Sequence, residues 1–217
     1  MKPSRALPPD LNCRILAVAG VTLVLSSWGF VPHRHLHAKA WALLPLELRL
    51  AFGNDPTPLI ARATDADSRK HTDSLEAARH YLDLDDAHAE GLDLWGLPWS
   101  GAQQLLEEAD SSSSVRRLGI LPWQLEWSYW RLVKAWAPSD SSEPDLDKIV
   151  RAAADLGHYL GDAHVPLHTS GNYDGQRTGQ RGIHALWETH AVEWLLSRSE
   201  IQACPPCDAA VANYDPV

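Results

Sequence analysis

A stretch of 34 residues, from Asp155 to Glu188, constrains this chain more than any other because it concentrates side chains that bind metal ions. His158 and Asp162 are four residues apart, so on an α-helix they lie one turn apart on the same face. His184 and Glu188 repeat this spacing. Imidazole and carboxylate groups one helical turn apart can bind a zinc ion without backbone strain. The stretch therefore predicts a metal site built on two helices.

His168 is a fifth ligand candidate, placed between the two helical pairs. It follows Pro166, which ends the first helix because proline lacks a backbone N–H and clashes with the preceding turn. We therefore expect the His168 imidazole to turn back over the end of that helix.

The rest of the chain has the periodicity of amphipathic helices and no convincing strand alternation. The clearest helix is predicted from about Leu146 to Ala163, and the Trp-rich segment 121–137 predicts another. The serine-rich segment 111–119 is predicted as a loop. A chain of 217 residues with 45% hydrophobic residues can bury one sizeable core. The expected fold is a single all-α domain.

Residues 1–27 have a different pattern, in which three basic residues precede an apolar run from Ile15 to Leu25. Eleven apolar residues are too few to span a bilayer, and two small serines follow them. This pattern predicts a cleaved secretory signal peptide, with an uncleaved anchor as the alternative. The mature domain, residues 28–217, is then expected to be secreted or periplasmic.

The mature domain is strongly acidic. Three basic residues and one acid leave with the signal peptide, so the formal charge changes from −9 to −11. This charge argues against sequence-independent binding of nucleic acid through a basic face. It does not exclude nucleic acid as a substrate, because bound dications would supply positive charge where a phosphate lies. Cys204 and Cys207 predict a local disulfide, as expected in an exported protein.

Signal-peptide cleavage would make Trp28 the first residue of the mature chain. Its α-amino nitrogen, with an ordinary pKa of about 8, and its carbonyl oxygen could then close a five-membered chelate ring on a metal ion. Three histidines follow at positions 33, 35 and 37. His33 and His37 lie one helical turn apart, and both remain ligand candidates.

Two further ligand candidates, Asp67 and His80, lie in the next segment. Their separation is too large for one helical turn, so spacing alone does not bring them together. Asp65 remains an alternative to Asp67.

Taken in chain order, these residues resemble the zinc-dependent phospholipase C and single-strand nuclease superfamily, over roughly residues 28–198. The matching motifs are Trp28 with His33, Asp67, HYLDLD at 80–85, GHYLGDAHVPLH at 157–168 and GIHALWE at 182–188. An ordered set of nine ligands is far more specific than one histidine and carboxylate pair. The resemblance implies an all-α domain with three zinc ions in a cleft between helices.

The resemblance also implies how the nine ligands are shared among the three ions. Asp67, His80 and His158 would hold the first ion, Trp28 and His33 the second, with Asp162 bridging these two, and His168, His184 and Glu188 the third.

Phosphodiester hydrolysis is the chemistry that the resemblance implies. Water activated between the paired zinc ions would attack phosphorus, while the third ion stabilises the leaving oxygen. Asp67, Arg69 and Lys70 are the catalytic candidates, with either cation adding positive charge at the transition state. Tyr81 and Asp83 match nuclease residues that stack on a base and contact its edge, although ordinary packing and helix capping are an equal alternative.

Two features divide the branches of the superfamily. The spacing of five between Trp28 and His33 resembles the nucleases, whereas a glutamate at 188 resembles the phospholipases. The segment 189–217 is also shorter than the corresponding segment of relatives, which forms further helices, so we expect a shortened C-terminus. The favoured expectation is a hydrolase of single-stranded DNA or RNA, with no stable protein partner implied. The alternatives are a phospholipase C on phosphatidylcholine-like lipids and a non-catalytic zinc-binding protein.

Overall fold

The computed structural model describes residues 29–137 and 143–198. The α-helices in chain order are α1 Phe30–Leu43, α2 Leu46–Ala51, α3 Thr57–Ala61, α4 Asp65–Arg69, α5 Leu84–Ala89, α6 Trp99–Leu118, α7 Leu121–Trp136, α8 Leu146–Asp162, α9 Ile183–Ala185 and α10 Ala191–Ser197. Short 3₁₀ turns occupy Ala77–His80 and Pro166–Thr169, and the π turn Leu186–His190 joins α9 to α10. The described residues contain no strand, so the all-α prediction is confirmed. The predicted signal peptide 1–27, Trp28 and the pair Cys204 and Cys207 lie outside the described residues.

Helix α8 is the central element. It begins where the Asp145 side chain accepts hydrogen bonds from the backbone N–H groups of Asp147 and Lys148, which caps the first turn. Ile149 and Val150 are buried against α1 and α3, and α7 packs along the helix. Burial of each such side chain contributes about 1.5–3 kcal/mol. The helix agrees with its predicted bounds to within one residue.

Helix α1 packs unusually close to α8 because two glycines of α8 face it. A Cβ atom on Gly157 would lie 2.6 Å from His37 Nε2, and one on Gly161 would lie 3.2 Å from the His33 ring. The missing side chains leave room for the His33 imidazole to stack on that of His158, with ring centroids 3.9 Å apart. This close approach brings α1 to the ligand-rich end of α8.

The serine-rich segment 111–119 is helical up to Leu118, so its prediction as a loop was wrong. Serine favours helix interiors only weakly, but Leu106 and Leu118 of α6 are fully buried in one core cluster. Burial of these side chains outweighs the intrinsic propensity of the serines between them. None of the described helices is both long and apolar enough to cross a bilayer.

A substitution at Gly119 tests the backbone packing beside Tyr81. Gly119 has φ +83°, and a Cβ atom there would lie 2.1 Å from the Tyr81 carbonyl oxygen. Gly91 has a similar φ of +76° with nothing within 4 Å of the added atom. Gly119→Ala should therefore lower the free energy of unfolding by about 2–4 kcal/mol, and Gly91→Ala by about 1 kcal/mol. Chemical denaturation measures both, and equal losses would contradict the close contact.

Candidate metal centre

Eight of the nine predicted ligands converge near the C-terminal end of α8. They form three groups, and within each group the potential ligand atoms lie within 4.8 Å of one another. The groups are His33, His158 and Asp162; Asp67, His80 and His158; and His168, His184 and Glu188. Nitrogen and oxygen donors of this kind could hold divalent metal ions. Trp28, the ninth predicted ligand, lies outside the described residues.

Asp162 belongs to the first group and also faces the second. Its Oδ1 atom is 3.2 Å from His33 Nε2, whereas its Oδ2 atom is 2.7 Å from His80 Nδ1 and 3.3 Å from His158 Nε2. The one-turn spacing on α8 places Asp162 beside His158, as helical geometry requires. The two carboxylate oxygens therefore face different donor groups, which is the arrangement that a bridging carboxylate needs.

Asp67 completes the second group from the opposite side. Its Oδ1 atom lies 3.8 Å from His80 Nδ1 and 3.7 Å from His158 Nε2. The same oxygen accepts a hydrogen bond of 2.7 Å from Lys70 Nζ. The chain reverses between α4 and the turn Ala77–His80, and this path brings Asp67 and His80 together.

The third group depends on the π turn between α9 and α10. Glu188 lies in this turn, with Oε1 2.8 Å from His168 Nε2 and Oε2 2.9 Å from His184 Nε2. The two imidazole nitrogens are 3.4 Å apart. His168 Nδ1 is also 4.0 Å from Asp162 Oδ1, so the third group adjoins the first. A π turn is rare in helices and frequently marks a functional site.

Backbone carbonyls orient two of the imidazoles. His158 Nδ1–H donates to the Ala63 carbonyl oxygen at 2.8 Å, and His168 Nδ1–H donates to the His80 carbonyl oxygen at 2.5 Å. When it is neutral, each ring therefore presents an unprotonated Nε2 atom to its donor group. Fixing the second nitrogen in this way is typical of histidines that bind metal ions.

The crowding of donor atoms fits a bound cation. His80 Nδ1 and His158 Nε2 lie 3.1 Å apart, and both face the same Asp162 oxygen. Glu188 Oε1 is buried and makes no hydrogen bond with any described residue. Lone pairs gathered in this way repel one another unless a proton or a metal ion lies between them. Mixed imidazole and carboxylate donors suit zinc.

Two carboxylates of the site, Asp162 and Glu188, have lowered pKa values. Burial alone would raise the pKa of Asp162, but the neighbouring His158, His33 and His80 hold it well below its ordinary value. Burial also acts to raise the pKa of Glu188, and the neighbouring His168 and His184 lower it to about 2.

Two of the imidazoles bind protons more strongly than a free histidine. Burial lowers the pKa of His158, but Asp162 and then Asp67 raise it above its ordinary value. Burial likewise lowers the pKa of His168, and Glu188 and Asp162 raise it. Protons therefore compete with metal ions for these nitrogens.

The structure distinguishes between the alternative ligands. Both ring nitrogens of His37 face backbone carbonyls, with Nδ1 2.8 Å from the His33 oxygen and Nε2 3.1 Å from the Ala154 oxygen. The Asp65 carboxylate lies 3.5 Å from the Arg62 guanidinium. Neither side chain belongs to a donor group in the described part of the chain. His33 and Asp67, in contrast, each belong to a group that could hold a metal ion.

Only one of the two cations predicted to be catalytic lies at the cavity beside the donor groups. Lys70, three residues after Asp67, lines the cavity beside the donor groups. The Arg69 guanidinium instead donates from Nη2 to Asp155 at 3.0 Å and lies at a separate cavity. On a helix, side chains two positions apart in the sequence point about 200° away from each other, whereas side chains three positions apart point to nearly the same face. The structure therefore does not bring Arg69 to the position expected for a catalytic residue.

The donor groups open into a cavity of about 380 Å³. The predicted substrate residues Tyr81 and Asp83 both line it. The Tyr81 hydroxyl donates to the Arg116 carbonyl oxygen at 2.6 Å, which anchors the ring. Burial, followed by the charges of Asp86 and Asp85, raises the pKa of Asp83 to about 7.

Three further charged or aromatic side chains at this cavity are absent from the sequence-based set: Arg116, Arg117 and Tyr173. The two arginines lie in the last turn of α6, inside the segment that was predicted as a loop. Tyr173 lies 5.8 Å from the His184 ring, measured between centroids. The sequence offers no periodic signal for Tyr173, because it lies in the irregular segment between Thr169 and α9.

Comparisons with protein-family models, curated proteins and solved structures find no match for this chain. The site itself is therefore the basis for a functional proposal.

Zinc affinity should fall as the pH decreases from 8 to 6. The raised pKa values of His158 and His168 mean that protons occupy these rings at a higher pH than in a free histidine. Each proton displaced by zinc changes the affinity by about tenfold per pH unit. Competition with a chromophoric chelator at several pH values measures this dependence. An affinity that stays constant over this range would contradict coordination through these imidazoles.

Proposed function

We propose that this protein is a zinc-dependent phosphodiester hydrolase of the helical phospholipase C and nuclease type, acting on single-stranded DNA or RNA. The observation that carries the proposal is the convergence of three donor groups on one cavity. At least one member of each group lines that cavity, together with Lys70 and Tyr81. Three ions, one per group, are proposed.

The residues that would hold the ions are the eight described ligands, with Trp28 completing the group of His33. Zinc at these positions would lower the pKa of water and polarise a phosphate. Lys70 is placed to add positive charge next to Asp67, where negative charge grows as phosphorus is attacked. His158 and Asp162 are buried and are not among the described residues that line the cavity, so they would bind the ions from the protein interior.

Five of the side chains that line the cavity favour nucleic acid over lipid as the substrate. Tyr81 and Tyr173 present aromatic rings, which can stack on bases of any sequence. Asp83, with its pKa of about 7, can donate or accept a hydrogen bond at a base edge near neutral pH. Arg116 and Arg117 add cationic groups at the same cavity, suited to backbone phosphates.

A phospholipase C is the second candidate, and one exposed side chain favours it. Trp95 is 77% exposed in the segment 92–99 and could insert at a membrane interface. It is not among the described residues that line the cavity. A lipid substrate would therefore have to reach the metal centre from a separate docking point, which makes this candidate weaker.

The deciding experiment uses zinc-loaded protein that begins at Trp28. Release of acid-soluble nucleotides from single-stranded DNA and RNA is measured with and without chelator, beside phosphatidylcholine vesicles assayed in parallel. Chelator-sensitive nucleotide release supports the proposal. Lipid hydrolysis without nucleotide release would replace it with the phospholipase, and bound zinc without either activity would indicate a non-catalytic zinc protein.

Lys70→Ala should lower kcat/KM by roughly 100-fold with little change in zinc content, because it removes charge at the reacting phosphate. Lys148→Ala is the matched control, since Lys148 lies on α8 at the other cavity. Metal analysis accompanies the kinetics. Equal rates for the two variants would remove Lys70 from the mechanism.

Tyr81→Ala should raise KM for single-stranded DNA by about 10-fold, because base stacking contributes about 1–3 kcal/mol. Tyr81→Phe keeps the ring and loses only the hydrogen bond to the Arg116 carbonyl, so its KM should stay near that of the native protein. A small phosphodiester without a base should be cleaved equally by all three proteins. A Tyr81→Ala defect of the same size on that substrate would contradict stacking.

A further inference from the structure

Glu76 is a fully buried carboxylate that the metal centre described above does not use. It accepts hydrogen bonds from the Tyr159 hydroxyl, from the Arg79 guanidinium and, at 3.3 Å, from Arg69 Nη2. Burying an ionised carboxylate is costly unless charges and hydrogen bonds compensate it. Two guanidinium groups and a phenol fix this carboxylate in one orientation.

That orientation directs Glu76 Oε1 toward His80. The oxygen lies 3.6 Å from His80 Nε2, and the two residues are four apart across the 3₁₀ turn. This distance is longer than a hydrogen bond. His80 Nε2 is buried and has no hydrogen-bond partner among the residues that the structure describes.

The protonation of the opposite ring nitrogen accounts for this long distance. His80 Nδ1 lies 2.7 Å from Asp162 Oδ2, so a neutral ring without metal carries its proton on Nδ1 and donates it to Asp162. Nε2 then has a lone pair that faces a carboxylate oxygen, and two acceptors do not approach closely. A cation bound at Nδ1 would require the proton to lie on Nε2 instead, where Glu76 is the acceptor.

We propose that Glu76 is a positioning residue for His80, accepting a hydrogen bond from Nε2–H when Nδ1 binds a metal ion. It thereby stabilises the tautomer that can act as a ligand and fixes the ring toward Asp67 and Asp162. Arg69 acts through Glu76, which gives this arginine a role outside the substrate cavity. The inference rests on the metal centre of the proposed function, but not on its substrate.

Glu76→Gln should weaken zinc binding at the group of Asp67, His80 and His158. Loss of such a supporting hydrogen bond typically lowers metal affinity 10–100-fold. Asp73→Asn is the matched control, because Asp73 also pairs with Arg79, at 2.7 Å. That control changes a carboxylate to an amide in the same network, and none of the described hydrogen bonds or ion pairs joins Asp73 to His80. Chelator competition on both variants and the native protein should show the loss in Glu76→Gln alone.

The tautomer is measured on the native protein, so the test does not depend on the variant folding. Nitrogen-15 NMR of the imidazoles, with and without zinc, should show the His80 proton move from Nδ1 to a hydrogen-bonded Nε2–H. An Nε2 that stays unprotonated with zinc bound would overturn the inference, as would equal affinities of the native protein and Glu76→Gln. A native protein that takes up no zinc would instead overturn the proposed function itself. Normal zinc uptake and the expected tautomer change, without hydrolysis of either substrate, would contradict the proposed hydrolase activity and support the role of Glu76.

Discussion

The buried carboxylate of Asp162 is the contact on which the rest of the arrangement depends. It is 2% exposed, and its two oxygens face imidazoles from three separate parts of the chain, namely His33, His80 and His158. An isolated buried charge would be strongly unfavourable, so the imidazoles, or cations between them, must stay close to it. Fold and site are therefore specified by the same interaction.

The packing and geometry of the helices bring the donor residues together at two places. Gly157 and Gly161 let α1 approach α8 closely enough for His33 to reach Asp162. On the other side, the π turn Leu186–His190 places Glu188 beside His168. Both features lower the local stability of a helix, since glycine and π geometry each weaken it. Their location at the donor groups indicates that local helix stability is given up for ligand placement.

Much of the fold and part of the site follow from the sequence. The helix Leu146–Asp162 and the pairing of His158 with Asp162 need only the helical repeat and a capping residue. The same repeat, applied to α4, would have excluded Arg69 from the cavity. The meeting of Asp67 with His80 could not be predicted from their spacing, because it depends on how the chain turns between them; only the family resemblance implied it.

Other features were hidden for different physical reasons. The segment 111–119 is helical because its flanking leucines are buried, and that burial is a property of the tertiary structure. Glu76 lies four residues before His80, a spacing visible in the sequence. Nothing in the sequence shows that Tyr159, Arg69 and Arg79 would enclose it, so the spacing alone carried no signal.

The hydrogen bond between the His80 carbonyl and His168 Nδ1 joins two donor groups through one residue. The His80 side chain belongs to one group, while its backbone orients a ligand of another. An ion held by His80, as proposed, would therefore also favour the orientation of His168 that another ion needs. Coupling between such sites is reciprocal and commonly amounts to about 1–3 kcal/mol. Successive ions are thus expected to bind cooperatively, with partly loaded protein scarce at intermediate metal concentrations.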